Sequence, residues 1–213
     1  MKKLILVLII MSCYSCNAQQ KKNESNCNRN SWAKWIENEL PETICVQKGE
    51  MIYSLFNEFD FNSDGLQDIA IKIGKKERKN GDVRKLSVYK KVNDSIYTKF
   101  KTLNNIYPIW FNDYDSSVKL KDPKLNKIKE YYEMGNPLRK LTLEKSKITL
   151  NLKGDSVTEY ILTFIFSKEK QDWLLSNYIE FDLNNNTKRP YLTERLNTSI
   201  SDFTYLEFLN GEY

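Results

Sequence analysis

Histidine is absent from this sequence. Without an imidazole there is no Ser-His-Asp or Cys-His nucleophilic pair and no His-rich zinc site, which removes most small hydrolases from consideration. Glycine and proline are scarce, at seven and five residues, so the chain is neither collagen-like nor of low complexity. No apolar run approaches the roughly eighteen residues that a membrane-spanning helix needs. Charge of one sign is not in great excess either: 33 Lys and Arg stand against 28 Asp and Glu, and they are interspersed. Even the densest basic run, Lys75-Lys76-Glu77-Arg78-Lys79, is broken by an acid and reads as a solvated loop, so nucleic acid is not an expected partner. What the chain does have is 213 residues, 40% of them hydrophobic and 13% aromatic, enough to bury a true core.

The chain opens on Met1-Lys2-Lys3 followed by the apolar run Leu4 to Met11, the basic and short hydrophobic regions of an export signal. Next, Ser12-Cys13-Tyr14-Ser15-Cys16 places a small residue directly before each of two cysteines, which resembles the lipobox of bacterial lipoproteins. The resemblance implies that one cysteine is diacylated and becomes the new N-terminus. Cys16 is the expected site; Cys13, with the better upstream residues, is the alternative, and cleavage near Ala18-Gln19 without a lipid is the simpler one. Residues 1–15 are then a lipoprotein signal peptide, and residues 16–30, rich in Asn, Gln, Lys and Ser, a flexible tether. The Cys16-Asn17-Ala18-Gln19-Gln20 tail in an Asn- and Lys-rich chain resembles lipoproteins of Bacteroidota, in which early acidic residues mark passage to the cell surface. Here the first charges are Lys21 and Lys22, so the resemblance implies an outer-membrane anchor facing the periplasm, with the surface as the other option. In that oxidising compartment Cys27 and Cys45 form an even pair for which one disulfide is expected, with free thiols as the alternative.

Residues 31–213 read as a single mainly β domain of the α+β kind. Asn30 to Leu40 sets Trp32, Trp35, Ile36 and Leu40 at helical spacing behind a cap-competent Asn30 or Ser31, and Pro41 stops the run. This is an N-terminal helix whose tryptophans are expected to pack on a sheet. From Met51 the period changes to two, with strands expected over 51–61, 68–73, 85–92, 95–103, 140–144, 147–152, 158–167 and 172–183. Short turns at Lys145-Ser146, Lys153-Gly154-Asp155 and Lys168 to Gln171 join the later ones into an antiparallel meander. In residues 158–167 both alternating sets are apolar, which predicts a central strand covered on both faces. Residues 192–208 are expected to close the fold as a last strand. Between the helix-plus-loop region, 31–103, and the meander, 138–213, residues 104–137 read as an irregular connection with a short helix near Lys124 to Met134. Its Tyr107, Trp110 and Phe111 are the candidate partner-binding residues, because exposed aromatics are favoured contacts. No repeat recurs at a fixed period.

One motif carries chemistry. Asp60-Phe61-Asn62-Ser63-Asp64-Gly65-Leu66-Gln67-Asp68 puts side-chain oxygens at positions 1, 3, 5 and 9, a glycine at 6 and the Leu66 carbonyl at 7, a spacing that suits a calcium ion. An EF-hand is excluded, since its twelfth position is Ile71 and strands flank the loop. The loop instead resembles the D-x-D-x-D-G-x-x-D hairpin loops of FG-GAP and VCBS repeats, over residues 53 to 73. That resemblance implies that Asp60, Asn62, Asp64, Leu66 and Asp68 ligate calcium for structure, more weakly than usual because Asn62 stands where an Asp is common. The competing reading is a metal-free turn built from good turn formers.

The expected function is therefore that of a membrane-anchored, non-enzymatic lipoprotein with a structural calcium ion, recognising a protein or a glycan. The alternative is an immunity or inhibitor protein that neutralises a toxin or enzyme in the periplasm. A carboxylate-based glycan hydrolase needs no histidine and ranks behind both, since no pair among Glu130, Glu133, Glu159, Glu180 and Asp182 has a distinguishing context.

Overall fold

Alternating apolar residues pair into strands wherever turn formers bring two such runs together, and this chain does so twice. The structure is a computed structural model that describes residues 27–77, 79, 81–110, 136–154, 156–191 and 193–209. After a short helix, α1 (Lys34–Glu39), come β1 (Glu50–Phe59), β2 (Asp68–Lys75), β4 (Lys85–Lys91) and β5 (Tyr97–Leu103), hydrogen-bonded in that order as an antiparallel sheet. The excursion β3 (Asp82–Val83) pairs with β6 (Ile109–Trp110) in a separate ribbon. The second sheet is a meander of β7 (Leu138–Glu144), β8 (Lys147–Lys153), β9 (Thr158–Ser167), β10 (Asp172–Asp182) and β11 (Thr187–Pro190), in sequence order. The chain is thus mainly β, with two antiparallel sheets.

The inner faces share one core. Phe59, Ala70, Leu86, Val88 and Leu103 of the first sheet meet Ile148, Leu150, Leu162, Phe164, Trp173 and Leu175 of the second. The opposite face of the first sheet carries Ile52, Ile69, Ile71 and Ile73, covered by Ile36, Leu40, Ile44 and Val46 of the N-terminal segment. Covering both faces explains why β2 is apolar almost without alternation. The disulfide between Cys27 and Cys45 holds this cover shut, beside the bridge from Asn28 to Val46. A loop of 18 residues closed in this way stabilises the fold by about 3 kcal/mol in the chain-entropy view. Residues 27–30, expected in the tether, therefore belong to the fold, while Cys13 and Cys16 lie outside the described residues.

Four expectations are corrected. Asn30 and Trp32 trade backbone hydrogen bonds with Ile52 of β1, so the segment lies along β1 through one parallel bridge and α1 begins only at Lys34. Ile36 and Leu40 face the sheet, whereas Trp32 and Trp35 are 72% and 52% exposed. β9 is central as expected, but only one of its faces is buried: Ile165 lies open to solvent. Residues 193–208 form no closing strand. They make one bridge, Ser199 to Leu174, and end in α2 (Tyr205–Leu209), where the Glu207 N–H donates to the Thr204 hydroxyl at 3.2 Å. Thr204-Tyr205-Leu206-Glu207 is a capping pattern that the alternation of Phe203 and Tyr205 concealed. β11 escaped notice because Thr187-Lys188-Arg189-Pro190 is a polar edge strand with no apolar face.

Candidate functional site: an acidic loop beside an aromatic-floored pocket

The turn between β1 and β2 is built by its own carboxylates. Asp60 accepts the N–H of Asp64 and of Gly65, each at 3.2 Å, and Asp64 accepts the N–H of Leu66 at 3.0 Å. Asn62 takes the Asp64 N–H at 3.1 Å and donates its amide to the Asp64 carboxylate at 2.9 Å. Gly65 sits at φ +89°, a conformation that a side chain would strain. Outside the loop, Lys90 of β4 reaches Asp64 at 3.2 Å and Lys145 stands 3.9 Å from Asp60. The β7–β8 turn clasps the loop from the other sheet, through the Ser146 N–H on the Asp60 carbonyl at 3.1 Å and a Ser63–Ser146 hydroxyl contact.

Asp68 differs from the others in being fully buried. It accepts the Phe61 N–H at 3.1 Å and the Lys91 N–H at 2.9 Å, tying the loop to the end of β4. Desolvation pushes its carboxyl up to about 6; the two N–H donors oppose the rise, and the nearby Asp64 and Asp60 charges add to it. A carboxyl whose folded pKa lies above its unfolded value contributes stability that is present below about pH 4 and lost as pH rises through about 6. In chelator, wild type should lose roughly 2–3 kcal/mol relative to Asp68→Asn between those limits. Denaturant unfolding at stepped pH checks this; parallel profiles for the two proteins would refute the assignment.

The donors fit calcium in kind. Asp60, Asn62, Asp64, Asp68 and the Leu66 carbonyl are hard oxygens, and buried Asp68 has two anionic neighbours. As arranged, Asp60 and Asp64 are turned onto loop N–H groups and ammonium groups. Among the described residues no three Asp, Glu, His or Cys side chains stand close enough together to hold an ion. Occupancy therefore requires Asp64 to exchange Lys90 for the cation. The ion would then supply fixed positive charge and stiffen the turn.

Beside the loop opens a pocket of about 310 Å³. Its floor is Phe61, Phe100 and Phe166, with Phe61 4.6 Å from Phe100 and 4.9 Å from Phe166, ring centre to ring centre. Its rim joins Asn62 and Asp64 of the loop and Lys90 to Lys168 and Gln171 of the β9–β10 turn. Trp173 underlies the floor, 5.3 Å from Phe61 and 5.1 Å from Phe166. Next to it, an ion pair joins the sheets: Lys101 of β5 meets Asp172 of β10 at 2.7 Å. Asp172 also accepts the Trp173 backbone N–H at 2.8 Å and the hydroxyls of Ser199 and Ser201.

The aromatic loop expected to bind a partner is placed differently. Tyr107 is 4% exposed, with the Lys72 ammonium 4.3 Å from its ring centre, so it belongs to the core. Trp110 lies in β6, and Phe111 and the short helix expected near 124–134 lie outside the described residues. Of the carboxylates considered for hydrolysis, Glu180 pairs with Arg189 at 2.6 Å, Glu159 stands 3.8 Å from Arg139, and Asp182 takes N–H groups of the following turn, while Glu130 and Glu133 lie outside the described residues. Sequence reasoning missed the pocket because its walls lie far apart in the chain; the one available signal was Phe61 inside the ion motif, an apolar residue at an otherwise polar turn. No protein family, curated protein or solved structure matches this chain.

Proposed function

We propose that the chain is an exported, lipid-anchored binding protein without catalytic activity, in which calcium stiffens the Asp60–Asp68 loop and the adjoining pocket grips a protein side chain or a sugar. The observation that carries this reading is the pocket itself, three phenylalanines under a rim of amides and charges. Such a site takes the apolar face of a ligand on its floor and orients the polar groups at its edge. Asn62 and Asp64 belong to both the ion loop and the rim, so the cation and the pocket's ligand act on the same two side chains. A cation held by Asp64 would take the place of the Lys90 ammonium there, and Lys90 lines the same pocket.

Screening the mature chain against envelope glycans and envelope proteins tests the proposal, with Lys168→Glu and Asn62→Ala as rim variants. Each variant should weaken a genuine ligand by about tenfold, equivalent to about 1.4 kcal/mol, the size expected of a central contact. The stability of Lys168→Glu should change far less, because Lys168 is exposed, whereas Asn62→Ala also removes two hydrogen bonds of the turn. A ligand whose affinity ignores both variants does not use this pocket, and catalytic turnover of a glycan would replace the proposal by an enzymatic one.

A further inference from the structure

Two large apolar side chains stand in solvent at the N-terminal edge of the fold. Trp32 and Trp35, 72% and 52% exposed, flank Lys34, which is also exposed. Full exposure of indole is unfavourable and needs a reason, because burying it elsewhere returns about 2 kcal/mol or more. Trp32 is also firmly mounted. The Trp32 N–H donates to the Ile52 carbonyl at 2.8 Å, and the Trp32 ring stacks on Tyr53 at 6.5 Å with a 26° tilt. Tyr53 is held in turn by its hydroxyl on the Lys75 carbonyl at 2.7 Å and by the Arg84 guanidinium over its ring at 4.2 Å. Gly74 leaves room for this stack: a Cβ there would lie 3.0 Å from Arg84 and 3.1 Å from Tyr53. Glu37 of the same helix is engaged by the N–H and hydroxyl of Ser31.

We infer that Trp32 and Trp35 form a docking face for the lipid bilayer, seated at the headgroup level of the membrane to which the chain is anchored. The inference rests on the proposed lipid anchor at Cys16, or Cys13. Cys16 lies eleven residues before Cys27, where the disulfide-held fold begins. Eleven residues span at most about 36–40 Å when fully extended. Trp32 is only five residues further along, so the anchor keeps this edge within reach of the bilayer surface. Indole suits that layer, with an apolar body for the upper acyl region and an N–H for water and headgroups. The tether raises the local concentration of the surface, so two shallow indoles suffice to orient the domain. Orientation is the functional gain: the domain presents one edge to the lipid and frees the others for ligand.

The test uses the full lipoprotein in phosphatidylethanolamine and phosphatidylglycerol vesicles that carry lipids brominated either near the glycerol end or near the methyl end of the chain. Of the four tryptophans, Trp173 is buried in the core and serves as the internal control, and Trp110 is replaced by Phe in every protein compared. The wild type should be quenched by the shallow bromines and spared by the deep ones. Trp32→Ala with Trp35→Ala should abolish that quenching at the cost of only a small drop in the unfolding midpoint, since neither side chain is buried in the core. An acylated, vesicle-bound chain whose indoles escape quenching overturns the docking face and leaves the anchor standing. Indoles indifferent to lipid but shifted by oligosaccharide reassign the pair to sugar binding. Absence of acyl mass on both Cys13 and Cys16 removes the anchor and the docking face together.

Discussion

Trp173→Ala should destabilise the protein by about 3–5 kcal/mol, the range measured for removal of a large buried aromatic. Trp173 is fully buried, and its ring touches Phe61, Phe100 and Phe166 at 5.3, 5.9 and 5.1 Å. Those residues come from both sheets, so the cavity opens at the joint and neither sheet closes it without pulling away from the other. Because the same three phenylalanines floor the pocket, ligand binding should fall further than the stability loss alone predicts. Trp173→Phe is the informative control. The indole N–H has no hydrogen-bond partner among the described residues, so phenylalanine forfeits volume and no polar contact. Its cost should stay below about 2 kcal/mol. Chemical denaturation of the three proteins checks the order; an alanine variant as stable as the phenylalanine variant would place the joint elsewhere.

Asp172→Ala is expected to cost about 3 kcal/mol, the lower end for breaking a buried ion pair. The lower end applies because Lys101 keeps 25% of its side chain exposed and can turn its ammonium toward water. Three other donors lose their acceptor at once, the Trp173 backbone N–H and the hydroxyls of Ser199 and Ser201. Lys101→Met in the wild type leaves Asp172 buried against two hydroxyls, whereas in the alanine background it should cost little. A double-mutant cycle with Lys101→Met should therefore return a coupling of about 1–3 kcal/mol. Additive losses would mean that the pair is an incidental contact and that packing alone holds the sheets.

Much of the fold could be read from local patterning because most of it is local. The meander joins neighbours through short turns, so alternation in residues 140–152 and 158–183 specifies each strand and its partner together. Reading failed where tertiary contacts overrode the local pattern. Trp32 and Trp35 have helical spacing with Ile36, yet pairing of the preceding residues with β1 rotates the helix so that only Ile36 and Leu40 face inward. Tyr107 looked like a loop aromatic but fills the core above Lys72. The acidic loop was legible as a motif, since its spacing is dense in sequence. The pocket was not, because Phe61, Phe100 and Phe166 meet only after two sheets have packed.

The most direct test of the calcium loop is the unfolding of the mature chain in calcium, in chelator, and in calcium with Asp60→Ala and Asp64→Ala together. A ligand that binds only the folded state must stabilise it, by about 2.7 kcal/mol at a hundredfold excess over its Kd. For a domain of this size that is a rise in midpoint of about 2–4 °C for each kcal/mol. The account predicts that calcium raises the midpoint of the wild type and leaves the double variant unmoved. If calcium shifts neither protein, the loop is a turn held by its own N–H groups with Lys90 and Lys145, and the cation has no place in the site.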